Sequence, residues 1–146
     1  MTYAVILYHF FSNYNGTPIG ILQDCINLIL LFIMGLKKKV LIIDDEVDFC
    51  FLLKTYLTKK NYKISLANTL YQGMQLLESE KPDIIFLDNN LPDGFGWDKI
   101  DFITHSHPVV QLNLISAYNY IYPAPEINEL RVWEKPLDLR KLDEYL

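Results

Sequence analysis

Residues 82–94 read PDIIFLDNNLPDG, and this stretch decides the fold. Its apolar run at residues 84–87 is continuous rather than alternating, as expected of a strand that is buried on both faces of a parallel sheet. The run ends at Asp88, and a polar loop containing Pro92 and Gly94 follows it. The stretch therefore predicts a central strand that carries an acidic residue to one edge of the sheet.

The same alternation of apolar runs and helical patterns extends to both sides of this stretch. Strands are predicted at residues 40–43, 62–67, 84–88, 109–115 and 130–133, and helices at residues 49–57, 70–80, 97–104 and 137–146. In the first helix, residues at helical spacing predict one buried face: Phe49, Leu52, Leu53, Tyr56 and Leu57. Strands that alternate with helices predict right-handed crossovers and a doubly wound α/β fold, with helices on both faces of a five-stranded parallel sheet.

The fourth crossover is the weak part of this pattern. Pro123 and Pro125 lack backbone donors and clash with a preceding helical turn, so they cannot lie inside a helix. Only residues 126–130 remain for a helical turn, and a short or irregular crossover is expected.

Charge is distributed unevenly along the chain. The formal net charge is −5 and the pI is about 5.1, which argues against nucleic acid as the main partner. Asp24 is the only Asp, Glu, Lys or Arg among positions 1–36. Cys25 and Cys50 provide neither a disulfide framework nor metal-ligand spacing, so a reducing cytoplasm is expected.

Residues 1–36 therefore form an apolar leader, for which three interpretations remain open. The leader is the product of a start assigned too far upstream, with Met34 as the true start, or additional packed structure, or a membrane anchor flanked by Lys37. The uninterrupted apolar run at residues 28–36 is far shorter than the ~20 residues needed to cross a bilayer, so membrane association is not expected. We expect the organised domain to span residues 37–146.

Chemistry is expected where the parallel strands end, because ligands of such sheets bind beyond the carboxyl ends of the strands. Those ends carry Asp44, Asp45, Glu46, Asp88, Ser116 and Lys135. Clustered acids repel one another, and a divalent cation such as Mg²⁺ usually resolves the repulsion. The set fits phosphoryl transfer to a carboxylate, with Asp88 as nucleophile and with Lys135 and Ser116 contacting phosphoryl oxygens. Each residue also has an ordinary interpretation, such as a helix-start acid run for Asp44–Glu46 or a turn after Asp88.

Four segments in order, VLIIDDE (40–46), PDIIFLDNNLPDG (82–94), LISAY (114–118) and EKPLD (134–138), resemble the receiver domains of bacterial two-component response regulators. The resemblance implies a flavodoxin-like (βα)5 fold. It also implies that Asp88 is the phosphoacceptor, that Asp45 binds Mg²⁺ directly, and that Asp44 binds it through water. The Asn90 carbonyl would complete the metal site, Ser116 would be the switch hydroxyl, and Lys135 would precede a cis proline bond. Asn90 and Tyr118 hold the positions that tune phosphoryl lifetime in the family.

Three departures from the family pattern bear on output. Val132 occupies the position where receivers usually carry a Tyr or Phe that swings inward. The segment between Ser116 and Lys135 is short and contains two prolines, and the last helix is cut short. These changes fall on the surface where family members dimerise or dock partners. Because the sequence ends at Leu146, no output domain is expected to follow.

The hypothesis favoured by the complete acidic set is a stand-alone, non-enzymatic cytoplasmic receiver. It would take a phosphoryl group from a sensor histidine kinase or a histidine phosphotransfer protein and signal to an unidentified downstream protein, with a homodimer as one option. Val132 and the prolines favour an alternative, a degenerate receiver that acts as a phosphorylation-independent interaction module. A Mg²⁺-dependent phosphohydrolase is disfavoured, because Glu46 stands where such enzymes need a second aspartate. His105 and His107 lack partners at ligand spacing and are expected to be solvated.

Overall fold

The computed structural model describes residues 37–117 and 130–146, together with Cys25, Ile26 and Ile29. The chain divides after Leu36, and the larger unit is Lys37–Leu146. The rest of the leader and residues 118–129 lie outside the described residues, and with them the predictions for Tyr118, Pro123 and Pro125. None of the described helices is both long enough and apolar enough to cross a membrane.

The described residues form a five-stranded parallel sheet and a separate two-stranded hairpin. The strands are β1 (Lys39–Ile43), β2 (Lys63–Ala67), β3 (Ile84–Asp88), β4 (Asn90–Leu91), β5 (Gly94–Phe95), β6 (Gln111–Ser116) and β7 (Leu130–Glu134). The helices are α1 (Val47–Lys59), α2 (Leu70–Glu80), a 3₁₀ helix (Gly96–Lys99) that leads into α3 (Ile100–Ser106), and α4 (Leu139–Asp143). The sheet order β2-β1-β3-β6-β7 is the flavodoxin-like order, with its switch point between β1 and β3. The predicted fold class is confirmed.

The core occupies both faces of the sheet, because successive strand residues point to opposite sides. On one face, Leu41, Ile43 and Leu87 pack with residues of α2 and α3. On the other, Ile42 and Phe86 pack with residues of α1 and α4. The four apolar residues that precede Asp88 are buried on both sides, as the continuous run predicted.

The buried face of α1 differs from the predicted one. Cys50, Leu53 and Leu57 are the buried residues, whereas Leu52 is 55% exposed. At 100° per residue Cys50 falls on the stripe with Leu53 and Leu57, and Leu52 points beside it to solvent. The prediction for Leu52 was wrong.

Three element boundaries also differ from the predictions. The third helix begins as a 3₁₀ turn at Gly96 before it continues as α3. The fourth strand begins at Gln111, and Val109, predicted to be part of it, is 87% exposed. The last helix covers only Leu139–Asp143, and it begins at Leu139 because Asp138 caps it by accepting a hydrogen bond from the Arg140 N–H.

Candidate phosphoacceptor site

The register of the central strands brings the predicted acids together. Ile43 of β1 pairs with Leu87 of β3, so Asp44 and Asp88, the next residues along each strand, stand side by side at the carboxyl edge. Both carboxylates are buried, with residue exposures of 0% for Asp44 and 5% for Asp88.

The second side of the site comes from β6 and β7. Ser116 pairs with Glu134, and the backbone N–H of Lys135 donates to the Ser116 carbonyl at 2.9 Å. The Lys135–Pro136 peptide bond is cis, as the resemblance implied. The register therefore brings the backbones of Ser116 and Lys135 next to each other.

Lys135 joins the two halves of the site. Its Nζ atom lies 2.8 Å from Asp44 Oδ2, 2.9 Å from Glu46 Oε1 and 3.1 Å from Asp88 Oδ1. The Phe49 ring lies beneath it, with its centroid 4.8 Å from Nζ. The site thus holds a largely desolvated ammonium that offsets the repulsion among the surrounding carboxylates.

Backbone groups fix the remaining carboxylate oxygens. The Glu46 N–H donates to Asp44 Oδ1 at 2.9 Å, and the Asn90 N–H donates to Asp88 Oδ2 at 2.7 Å. Asp44 therefore has one oxygen held by a backbone N–H and the other facing the Lys135 ammonium, as Asp88 does. The Asp44 carbonyl accepts hydrogen bonds from the Cys50 thiol and the Asn68 amide.

Burial determines the protonation chemistry. It raises the pKa of Asp44 and of Asp88 above the ordinary aspartate range, although the Lys135 ammonium lowers both. Burial alone would lower the pKa of Lys135, but its contacts with Asp44, Glu46 and Asp88 raise it above the usual lysine value. Burial also raises the pKa of the Cys50 thiol to about 11, so this cysteine is not a reactive thiolate.

A cavity of about 210 Å³ opens onto Asp88. The residues that line it are Asp45, Glu46, Asp88, Asn89, Asn90, Ser116, Ala117 and Lys135. Of the described residues that the sequence predicted for the site, all except the fully buried Asp44 line this cavity.

The oxygen donors around the cavity suit Mg²⁺. Among the described residues, no three His, Cys, Asp or Glu side chains form a metal-binding group. Mg²⁺ in proteins is typically bound through one or two carboxylates, with water completing its shell. Asp45 and Asp88 supply two carboxylates, and the Asp45 charge acts on Asp88 and raises its pKa. The residues present therefore fit this ion.

The loop after Asp88 is a hairpin that the sequence did not predict. Asn90–Leu91 pairs with Gly94–Phe95, and the Gly96 N–H donates to the Asn89 carbonyl at 2.8 Å. At its tip, the Asp93 carboxylate accepts hydrogen bonds from the Leu70 and Tyr71 N–H groups at 2.7 and 2.8 Å, and so caps α2. Pro92-Asp93-Gly94 signalled a turn, but no local pattern could indicate the distant helix that Asp93 caps.

The structure also describes two further residues considered in the sequence, His107 and Val132. The prediction that His107 is solvated was wrong: its side chain is 16% exposed and its Nε2 lies 3.8 Å from Glu78 Oε1. Val132 is 46% exposed on β7. Sequence reasoning placed Glu46 among the strand-end acids but gave it no separate role at this site.

Comparisons with known proteins agree with this geometry. The family model described as "Response regulator receiver domain" matches residues 40–146. The chain is 32% identical to the response regulator protein PilR of Pseudomonas aeruginosa over 111 residues, which cover 74% of this chain and 25% of PilR. It is 25% identical to the sporulation initiation phosphotransferase F of Bacillus subtilis, covering 73% of this chain and 89% of that protein. The chain thus spans about a quarter of PilR.

A solved structure shows the same fold. The crystal structure of a two-component response regulator from Clostridium difficile superposes with a TM-score of 0.68 at 30% sequence identity. The superposition covers 74% of this chain and 91% of that chain.

Proposed function

The chain belongs to the response regulator receiver domain family, and from this premise we propose that it accepts a phosphoryl group on Asp88. Receiver domains of response regulators interact with histidine kinases or phosphotransfer proteins, and they are typically signalling modules rather than enzymes. We propose a phosphohistidine of such a protein as donor and residues 37–146 as the receiving unit. In this proposal the protein is a cytoplasmic signalling switch that phosphorylation controls.

The observation that carries the proposal is the position of the Asp88 carboxylate. The Asn90 N–H and Lys135 hold it at 2.7 and 3.1 Å, and it faces a cavity large enough for a phosphoryl group. A nucleophile that is fixed in this way loses little freedom when it attacks, which favours reaction.

The transfer is a simple displacement. An Asp88 oxygen forms a bond to phosphorus, and the phosphorus–nitrogen bond of the phosphohistidine breaks. The imidazole nitrogen keeps the electron pair. Lys135 contacts one phosphoryl oxygen as a compact positive charge, and Ser116 can donate its hydroxyl to another.

Receiver domains normally bind Mg²⁺ at the phosphorylation site. We propose that Asp45, Asp88 and the Asn90 carbonyl hold this ion directly and that Asp44 holds it through water. When bound, Mg²⁺ neutralises charge on the phosphoryl oxygens.

Mass spectrometry tests the proposal. Wild-type protein incubated with Mg²⁺ and acetyl phosphate should gain one acid-stable, base-labile adduct of about 80 Da, as an aspartyl phosphate requires. Asp88→Asn should abolish the adduct. Asp98→Asn, an exposed aspartate on the neighbouring 3₁₀ helix, should retain it. Absence of the adduct from wild type, or its survival in Asp88→Asn, contradicts the proposal, and multiple turnover of phosphate esters would indicate a phosphohydrolase instead.

A second candidate is a receiver that works as an interaction module without phosphorylation. The observation that favours it is Val132, an exposed aliphatic residue in the position of the usual aromatic switch. A folded wild-type protein that forms no adduct with acetyl phosphate or phosphoramidate would support this second function.

A further inference from the structure

The ammonium of Lys135 already faces three carboxylates in this structure. An ammonium has three N–H donors, and among the described residues three carboxylates lie within 3.1 Å of Nζ: Asp44, Glu46 and Asp88. A phosphoryl oxygen that arrives at Asp88 can therefore contact Lys135 only if one of these partners gives way.

The three partners differ in how easily they can leave. The Asp44 and Asp88 side chains are 0% and 7% exposed, so separation from Lys135 would leave a buried carboxylate without its cation. The Glu46 side chain is 59% exposed, and water can replace its contact with Lys135. Glu46 is thus the partner that can be released at the smallest cost.

Glu46 also stands where it would compete with the incoming group. It begins α1 as its N-cap residue and lines the cavity in front of Asp88. Its Oε1 atom receives a hydrogen bond from Lys135 at 2.9 Å, and both residues line the cavity that the phosphoryl group would enter.

We propose that Glu46 is a positioning residue that occupies one donor of Lys135 in the unphosphorylated protein and is displaced by the phosphoryl group. This inference rests on the proposed phosphorylation of Asp88. The Glu46–Lys135 contact slows phosphorylation, because it must break before Lys135 can contact the phosphoryl group. The contact orients Lys135 between transfers and does not take part in the bond exchange.

Three substitutions separate this contact from simple charge repulsion. Glu46→Gln removes the charge and weakens the contact. Glu46→Asp keeps the charge but shortens the side chain, and an aspartate at the N-cap position favours the helix N–H groups over Lys135. Asp48→Asn removes a neighbouring exposed carboxylate from the first turn of α1 and leaves the Lys135 contact intact.

The measurement is the initial rate of adduct formation with acetyl phosphate and with phosphoramidate at fixed Mg²⁺. Both Glu46 variants should react roughly two- to fivefold faster than wild type with either donor, as loss of a surface ion pair allows. Asp48→Asn should stay close to the wild-type rate.

Other outcomes overturn the inference. If Glu46→Gln and Asp48→Asn accelerate equally while Glu46→Asp does not, charge repulsion is the cause. If neither Glu46 variant is faster, the contact does not limit transfer. If the wild-type protein forms the adduct and the variants behave in either of these ways, this inference alone is refuted. If neither the wild type nor any variant forms the adduct, the proposed function is refuted together with it.

Discussion

Trp133 donates its indole N–H to the side-chain oxygen of Asn113 at 2.9 Å, which joins β7 to a fully buried polar residue of β6. The Asn113 amide in turn donates to the Ile85 carbonyl of β3 at 3.3 Å. A buried acceptor that loses its donor retains the cost of its desolvation, so this pair is sensitive to single substitutions.

Trp133→Phe should lower the free energy of unfolding by about 1–3 kcal/mol, because it leaves the Asn113 oxygen unsatisfied. Adding Asn113→Leu, which is similar in shape and needs no donor, should recover much of that loss. Urea denaturation of wild type, both single variants and the double variant gives the coupling energy. Losses that add without coupling would contradict this prediction.

Gly96→Ala should destabilise the hairpin that follows the phosphoacceptor. A Cβ at this position would lie 2.1 Å from the Asp88 carbonyl oxygen and 2.9 Å from Leu87 Cδ1, so backbone must move. Overpacking of this kind costs about 1–3 kcal/mol. Urea denaturation measures the loss of unfolding free energy. An unchanged urea midpoint would show that the loop backbone moves to accommodate the added Cβ without cost.

Asp88→Asn should stabilise the metal-free protein at neutral pH. Burial raises the pKa of folded Asp88, so the wild-type unfolding free energy falls as pH rises above the unfolded value of about 3.9. The variant lacks this penalty, and Lys135 keeps Asp44 and Glu46 as partners. We expect a gain of about 0.5–2 kcal/mol at pH 7 that shrinks toward pH 4.

Denaturation in EDTA at the two pH values checks this prediction, with Asp98→Asn as the control that should show no such pH dependence. An Asp88→Asn variant that is less stable than wild type at pH 7 would mean that the Lys135 contact outweighs desolvation.

Asp93→Ala should lower the urea midpoint and loosen the hairpin tip. Hydrogen bonds from the Tyr71 and Leu70 N–H groups lower the pKa of Asp93. Its contribution to stability is therefore present above the ordinary aspartate range and is lost as pH falls through the lowered pKa. The difference in urea midpoint between wild type and Asp93→Ala should become smaller as the pH is lowered. The midpoint of Asp93→Asn, which keeps one acceptor oxygen, should lie between those of wild type and Asp93→Ala. If this difference in urea midpoint does not change with pH, the lost stability comes from packing and not from the charge of Asp93.

The sequence indicated the sheet reliably because its central strands are continuous apolar runs, and burial on both faces leaves little alternative for residues 84–87. The prediction of buried residues failed where two neighbouring faces of one helix are both apolar. Leu52 and Cys50 both suit a buried helix face, and only packing against the sheet decides between them. The last helix was overestimated because apolar residues near Leu146 contact the core without helical geometry, with the Leu146 carbonyl accepting from the Tyr62 hydroxyl.

At the candidate site, the sequence identified the residues that strand ends bring together, because parallel topology determines which ends meet. It did not identify the Glu46–Lys135 contact or the Asp93 cap. These contacts depend on side-chain reach and on loop shape over separations of 89 and 23 residues. Local patterns carry no information about such contacts.

The hydrogen bond from the Lys135 N–H to the Ser116 carbonyl has a consequence for how this protein can change during evolution. It fastens the two ends of the segment at residues 117–134 directly to each other at the edge of the sheet. Insertions, deletions or exchanges within that segment can therefore accumulate while the hydroxyl and the ammonium keep their spacing. The geometry of the reactive centre is in this way uncoupled from sequence change between the two strands.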